Sequence, residues 1–337
     1  MAKKQNTSST LVQTSDEPQI IVRDTPDNKH ALSLSAPRNT LWNNIWNARW
    51  VYLLILPGAV YFLLFYYLPL LGNVAAFQDY SPYLGFFRSA WVGFDNFTNM
   101  LTDPEFFIAV RNTLVISILQ IIFAFPLGLA LSLALNAIIN EKFKRFMQST
   151  VYLPHFMGWV IIVSIWREIF GGDGLVNHAI TGMGGKTVDL LTNPSLFQPM
   201  MVLQVIWKES GWSTVMFLAA LSSIDMSLYE AAVMDGASKW RRMWHITLPG
   251  LRNIIALLLI LRLGNVLSAG FEQVFLQQQG VSSTVSQIID TYVYTRGIVN
   301  GQWGLATAAG LIKATVGVVL IYSSNLIAKK LGGEGLF

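Results

Sequence analysis

The 337-residue chain contains no cysteine, which excludes disulfides, thiolate metal sites and cysteine nucleophiles. Charge is scarce as well: Asp, Glu, Lys and Arg make up 12% of the residues, against about 25% in ordinary soluble domains. A chain this poor in charge cannot cover a water-facing surface. No G-x-x-x-x-G-K-[ST] phosphate loop is present, and Gly171-Gly172-Asp173-Gly174 reads as a turn rather than a nucleotide cradle. No basic stripe with interleaved aromatics occurs in a polar segment, so nucleic acid is not an expected partner. Of the four histidines, His155 and His178 invite a metal or proton reading. A lone His at the start of an apolar run is more often a hydrogen-bonded structural residue, and no metal site is assigned.

What the chain has in abundance is apolar surface: 53% hydrophobic residues and a mean hydropathy of +0.46. Nearly uninterrupted apolar windows, each close to the roughly 20 residues that cross a bilayer, lie at 51–74, 113–139, 151–170, 196–221, 254–276 and 305–327. Single segments of this kind satisfy their backbone groups only as helices, so the expected fold class is an all-α membrane protein. Pro57, Pro126, Gly128, Pro154, Gly310 and Gly317 fall inside the windows and are read as kinks or close packing rather than span ends. Fifteen Lys and Arg fall in one set of alternate connecting segments and four in the other. The positive-inside rule therefore places both termini and the loop between the fourth and fifth windows in the cytoplasm. Residues 1–48 are polar, too poor in apolar content to pack a core, and are expected to be a disordered cytoplasmic tail; 49–337 form the transmembrane domain. No short apolar segment with a small-residue cleavage site precedes Trp50, so the first span is expected to be retained as an anchor.

The loop after the fourth window carries Glu230-Ala231-Ala232, then Asp235-Gly236, then Ile246-Thr247-Leu248-Pro249. Ser227-x-x-Glu230 reads as a capping box opening a short helix. Ala231 and Ala232 leave one side of that helix smooth. Gly236 suits the left-handed residue that ends it, and Ser238 suits the cap of a second helix stopping before Pro249. The product is a helix-turn-helix finger outside the membrane. This pattern resembles the EAA loop of ABC importer permeases. The resemblance implies a six-helix type I importer bundle whose finger is the coupling helix, docking into a cleft on a cytoplasmic ATPase. Glu230, Ala231, Ala232, Asp235, Gly236, Ile246, Leu248 and Pro249 would be the coupling residues.

Further segments carry the likeness across everything after the polar tail. Gly93-x-x-Asn96-Phe97, Asp103, Phe106-Phe107 and Asn112-Thr113 resemble the external segment of sugar permeases of the maltose type. Leu153-Pro154-His155-Phe156, Gly270 to Leu276, Asp290-Thr291-Tyr292-Val293-Tyr294 and Ala328 to Phe337 are similar to permeases for complex oligosaccharides and polysaccharide fragments. The resemblance implies a subunit of the bacterial cytoplasmic membrane that forms half of a translocation path. Its partners would be a second homologous permease, two ATPase subunits and an external solute-binding protein that delivers the oligosaccharide. This chain would bind no cofactor and catalyse nothing, ATP and Mg being held by the ATPase.

Ionisable residues inside spans usually face a bundle interior or water. Here they include Lys208 and Glu209 in the fourth window, Arg262 and Glu272 in the fifth and Lys313 in the sixth. Trp207 and Trp212 bracket the first pair and offer flat rings for sugar faces; Asn265 and Gln273 add hydrogen-bonding groups. These nine residues are the candidate substrate path, and the excess of positive charge among them suits acidic sugars such as uronic-acid oligomers. The alternative is structural, with interhelical ion pairs and Trp residues filling space. An ion-coupled secondary transporter is the rival function, typically with more spans or inverted repeats and a buried carboxylate relay. A polytopic membrane enzyme would need a catalytic constellation, and Asp189, Asp225 and Asp290 are scattered over both sides.

Overall fold

The structure is a computed structural model that describes Trp46 and residues 48–330. The predicted polar tail and the last seven residues of the C-terminal motif thus lie outside the described residues, apart from Trp46 and Ala48. Among the described residues four helical stretches are long and apolar enough to cross a bilayer, Arg49–Phe77, Pro104–Asn136, Lys239–Gly264 and Trp303–Lys330, and six if each of two bent pairs counts as one span.

The chain divides into two compact units, ending and beginning at Leu63 and Leu64. In the first, helix α1 (Arg49–Phe62) contains Pro57 and has no buried residue.

In the second unit a short helix, Leu68–Leu70, leads into a 3-10 turn, Leu71–Phe77, and a small antiparallel pairing of β1 (Gln78–Asp79) with β2 (Ala90–Trp91). It continues through α2 (Asp95–Thr102), α3 (Pro104–Asn136), α4 (Glu141–Tyr152), α5 (Trp159–Phe170), α6 (Leu175–Gly182) and α7 (Pro194–Leu221). Then come α8 (Met226–Met234), α9 (Leu248–Gly264), α10 (Phe271–Gln277), α11 (Ile289–Val293) and α12 (Trp303–Lys330).

Lipid supplies no hydrophobic drive between helices, so close approach and hydrogen bonds must hold them together. Helix α7 is the post on which this is done. A Cβ on Gly128 of α3 would lie 2.7 Å from Ser213 Cβ, and Thr214 Oγ1 donates to the Gly128 carbonyl at 3.1 Å. A Cβ on Gly211 would lie only 2.1 Å from the Val151 carbonyl oxygen. Gly317 of α12 also packs tightly on Gly264 of α9, a Cβ there lying 3.0 Å from the Gly264 carbonyl oxygen. Gly310, by contrast, has nothing within 4 Å of a Cβ and is no packing site.

Two windows need correcting. The third, 151–170, is not one helix: Glu141–Phe156 and Trp159–Gly182 meet at 104°, and Pro154 marks that break. Proline has no N–H to continue the ladder, the residues Leu153–Phe156 tighten into a 3-10 turn, and Gly158 is extended. The fifth, 254–276, ends at Gly264; its helix starts earlier, at Lys239, and α10 is a separate element beyond a turn.

The motif residues between Gly93 and Thr113 are tie points. Asn96 Nδ2 donates to the Ala76 and Gln78 carbonyls at 3.0 and 2.9 Å. Asp103 caps α3 and accepts from Tyr292 Oη at 2.9 Å and Arg296 at 2.7 Å. Burial, and then this bond, raise the Tyr292 phenol well above its ordinary range. Asn112 Nδ2 donates to Thr284 and Gln287 carbonyls, at 3.1 and 2.9 Å.

Gly211→Ala forces its methyl into the Val151 backbone and is expected to cost at least the ~1–3 kcal/mol of an overpacked core. Gly310→Ala is expected to leave stability unchanged or higher. Thermal unfolding of the two purified variants in detergent checks the pair.

Candidate functional site: a finger joined to a membrane cavity

The finger begins with a 73° bend between α7 and α8. Asp225, rather than the predicted Ser227–Glu230 box, caps α8: its side chain accepts the Ser227 amide at 2.9 Å. That amide, and then the Ser227 hydroxyl, hold the Asp225 carboxyl below the usual carboxylate range. Asp wins the cap because it sits at the bend itself, two residues before Ser227, where the amides of the first turn point.

Gly236 has φ +72°, the Gly236 amide donates to the Val233 carbonyl at 3.0 Å and the Ala237 amide to that of Ala232 at 2.8 Å. This pair of bonds is a Schellman turn, and it fixes where the finger reverses. Ser238 Oγ accepts the Arg241 amide at 3.3 Å and opens the returning arm, as expected. That arm does not stop before Pro249. It runs through Lys239–Arg242 and a π-helical stretch, Met243–Thr247, straight into α9; the wider π turn lies just ahead of Pro249, whose missing N–H interrupts the regular ladder there. Tyr229 Oη and Thr247 Oγ1, 2.9 Å apart, brace the two arms.

The finger presents an apolar surface with Met226, Leu228, Val233, Met234, Trp240 and Trp244 all exposed. Glu230, Ala231 and Asp235 are exposed, while Ala232, Ile246 and Leu248 are half-buried. Glu230 makes no ion pair among the described residues.

Within the membrane, a cavity of about 330 Å³ is lined by Ala124 and Phe125 of α3, by Glu209, Trp212, Ser213, Met216 and Phe217 of α7, and by Leu258, Leu261, Arg262 and Asn265 at α9. It gathers four of the nine path candidates. The Trp212 ring lies flat on His155, centroids 4.6 Å apart and planes at 7°, and His155 Nδ1 is 2.9 Å from Glu209 Oε2. Arg262 donates to Gln120 Oε1 at 2.9 Å.

The other five candidates are placed elsewhere. Lys208 is buried and donates to the His155 and Met157 carbonyls at 2.7 and 2.9 Å. These are carbonyls freed by the break in the third window, so Lys208 closes a helix end with a cation, where the helix dipole favours one. Trp207 faces Trp166 at 6.5 Å. Glu272 is exposed, and Gln273, fully buried, donates to Gln204 Oε1 and the Met201 carbonyl. Lys313 is paired with Asp290, the interhelical ion pair that the structural alternative foresees. Sequence reading missed Ser213, Met216 and Phe217 as cavity residues; the i, i+3, i+4, i+7, i+8 spacing from Glu209 through Trp212 is the signal that links them.

A bundle of apolar helices long enough to span a membrane, with a cavity among them and a projecting helical finger, is the architecture of a multi-pass transport subunit. The chain belongs to the family of binding-protein-dependent transport system inner membrane components, whose model matches residues 124–333. It is similar to protein LplB of Bacillus subtilis (strain 168), 48% identical over 314 residues that cover 93% of this chain and 99% of LplB. It is also similar to the polygalacturonan/rhamnogalacturonan transport system permease protein YteP of the same organism, 47% identical over 290 residues covering 86% of this chain and 90% of YteP. Among solved structures, a chain of a bacterial alginate ABC transporter in complex with alginate pentasaccharide-bound periplasmic protein superposes with a TM-score of 0.81 at 34% identity, covering 88% and 99% of the two chains. The fold is thus that of an ABC importer permease, and the protein is a permease subunit of the inner membrane.

Lys208→Met leaves two carbonyls at the helix break without a donor and is expected to cost about 3 kcal/mol. Thermal unfolding checks this; a sugar-contacting Lys208 would instead lower apparent sugar affinity with the melting temperature unchanged.

Proposed function

We propose that the chain is half of the translocation path of an ATP-driven importer for acidic oligosaccharides or polysaccharide fragments. The observation that carries this is continuity: both arms of the finger run into helices that wall the cavity, α8 from α7 across the bend and Lys239–Thr247 directly into α9. Any displacement of the finger is therefore delivered to Trp212 on one wall and Arg262 on the other.

In this reading the exposed finger docks on a cytoplasmic ATPase, with Glu230 meeting a basic residue there and the apolar side chains of α8 seated in a cleft. A second permease completes the path, two ATPase subunits hold ATP and Mg, and an external binding protein delivers the sugar. The polygalacturonan/rhamnogalacturonan permease and the alginate transporter support an acidic substrate class. The cavity is consistent with it: Glu209 is engaged by His155 and Lys208, while Arg262 donates to the neutral Gln120 and is in no salt bridge among the described residues, which leaves it open to a uronate carboxylate. Trp212, its plane fixed by His155, supplies the stacking face. Both termini lie in the cytoplasm on the distribution of Lys and Arg.

Tagged chain purified from its host in mild detergent is expected to retain an ATPase and a second permease, and Glu230→Lys to lose the ATPase alone. Gly236→Val places a β-branched residue at φ +72°, where nothing crowds the side chain but the backbone itself is strained by ~1–3 kcal/mol. It should leave the protein folded and ATP hydrolysis uncoupled from uptake; normal uptake in this variant would refute coupling through the finger. Arg262→Gln is expected to weaken competition by uronate oligomers about 10- to 100-fold, the worth of a charge-assisted hydrogen bond, and to leave neutral oligomers nearly unaffected. Equal, small effects on both would remove the case for acidic substrates.

A further inference from the structure

We infer that the groove between α9 and α12 is a binding site for an anionic phospholipid. The two helices run antiparallel and touch most closely at one end, where a Cβ on Gly264 would lie 2.2 Å from Ile321 Cγ1. From there toward Arg252 and Ala328 they leave a groove of about 310 Å³, walled by Ala256, Leu259, Ile260, Leu263 and Ile327.

Charge is concentrated at the open end only. Arg252 and Ala328 line the groove, and Lys329 and Lys330 follow Ala328 directly at the end of α12. All three cations are exposed, and none is ion-paired among the described residues. Neither helix can neutralise them, since α9 and α12 contain no Asp or Glu.

Their level matches a headgroup. At about 1.5 Å per residue the 28 residues of α12 span roughly 42 Å, against a hydrocarbon core of about 30 Å, so its terminal lysines stand at the membrane surface. An apolar slot facing the acyl region, with Arg252 at its mouth and Lys329 and Lys330 on the adjoining helix end, fits one amphiphile with a negative head. A free phosphate has no use for the slot, and a neutral lipid has none for the cations. Basic pockets between transmembrane helices are the usual receptors for acidic headgroups. The site is separate from the cavity of Trp212 and Arg262 and from the finger surface.

The test is native mass spectrometry of the full chain in mild detergent, titrated with phosphatidylglycerol and with phosphatidylcholine. Retention of phosphatidylglycerol is expected to exceed that of phosphatidylcholine, and to fall about fivefold for each cation removed in the series Arg252→Gln, Lys329→Gln and Lys330→Gln. Ala256→Phe, which fills the slot and keeps the cations, should also release the lipid. Unchanged elution and melting temperature in detergent show that both sets of variants are folded. Equal retention of the two lipids, or phosphatidylglycerol held undiminished by the triple variant, overturns the site. So does cross-linking of a Ser324→Cys variant to a second permease in native membranes, a reading made clean by the absence of other cysteines.

Discussion

A backbone carbonyl in lipid must find a donor within the protein, and in this fold one side chain meets that demand at the place where it is hardest to meet. The third apolar window breaks at Pro154 and turns through 104°, freeing carbonyls at His155 and Met157, and Lys208 of α7 reaches across to both. The lysine brings a full charge to the end of a helix whose dipole favours it. Its neighbour Glu209 then aligns His155, and His155 aligns Trp212, so the wall of the cavity is set by the same contact that repairs the break. Gly211 allows the approach by letting α7 lie against the Val151 backbone.

The same helix makes the cavity and the finger parts of one lever. Helix α7 carries Glu209 and Trp212 at mid-length and ends at the bend into α8, and α9 carries Arg262 at one end and grows out of the returning arm at the other. The Schellman turn at Gly236 and the Tyr229–Thr247 bond leave the finger little freedom to flex within itself. On the proposed function, a rigid finger is what turns closure of an ATPase into a change at the sugar site.

Much of this was legible in the residues. Gly236 and Ser238 sit where the finger turns and restarts, since a left-handed position and an N-cap each select a narrow set of side chains. The apolar windows located the membrane helices but misplaced two of their boundaries. A hydropathy window sums apolar content and does not register a break, so Leu153-Pro154-His155-Phe156 passed as the start of an unbroken span and Asn265 to Gly270 passed as helix. For the same reason the basic stretch from Lys239 to Arg242 was assigned to a separate finger helix ending before Pro249, whereas it belongs to the helix that continues to Gly264. The division of the nine path candidates was not legible at all. Lys208 and Glu209 are adjacent in sequence yet have different tasks, because one points to the carbonyls of another helix and the other to a cavity. Only the packing of α4 and α5 around Pro154 decides which.

The central claim is that ATP, acting through the finger, moves an acidic sugar past Trp212 and Arg262. The most direct measurement is uptake of a labelled uronate oligomer into proteoliposomes holding the purified complex and its binding protein, with ATP supplied on the finger side and no ion gradient. The account predicts uptake that requires both ATP and the binding protein. Uptake that proceeds without ATP when a proton or sodium gradient is imposed would contradict it.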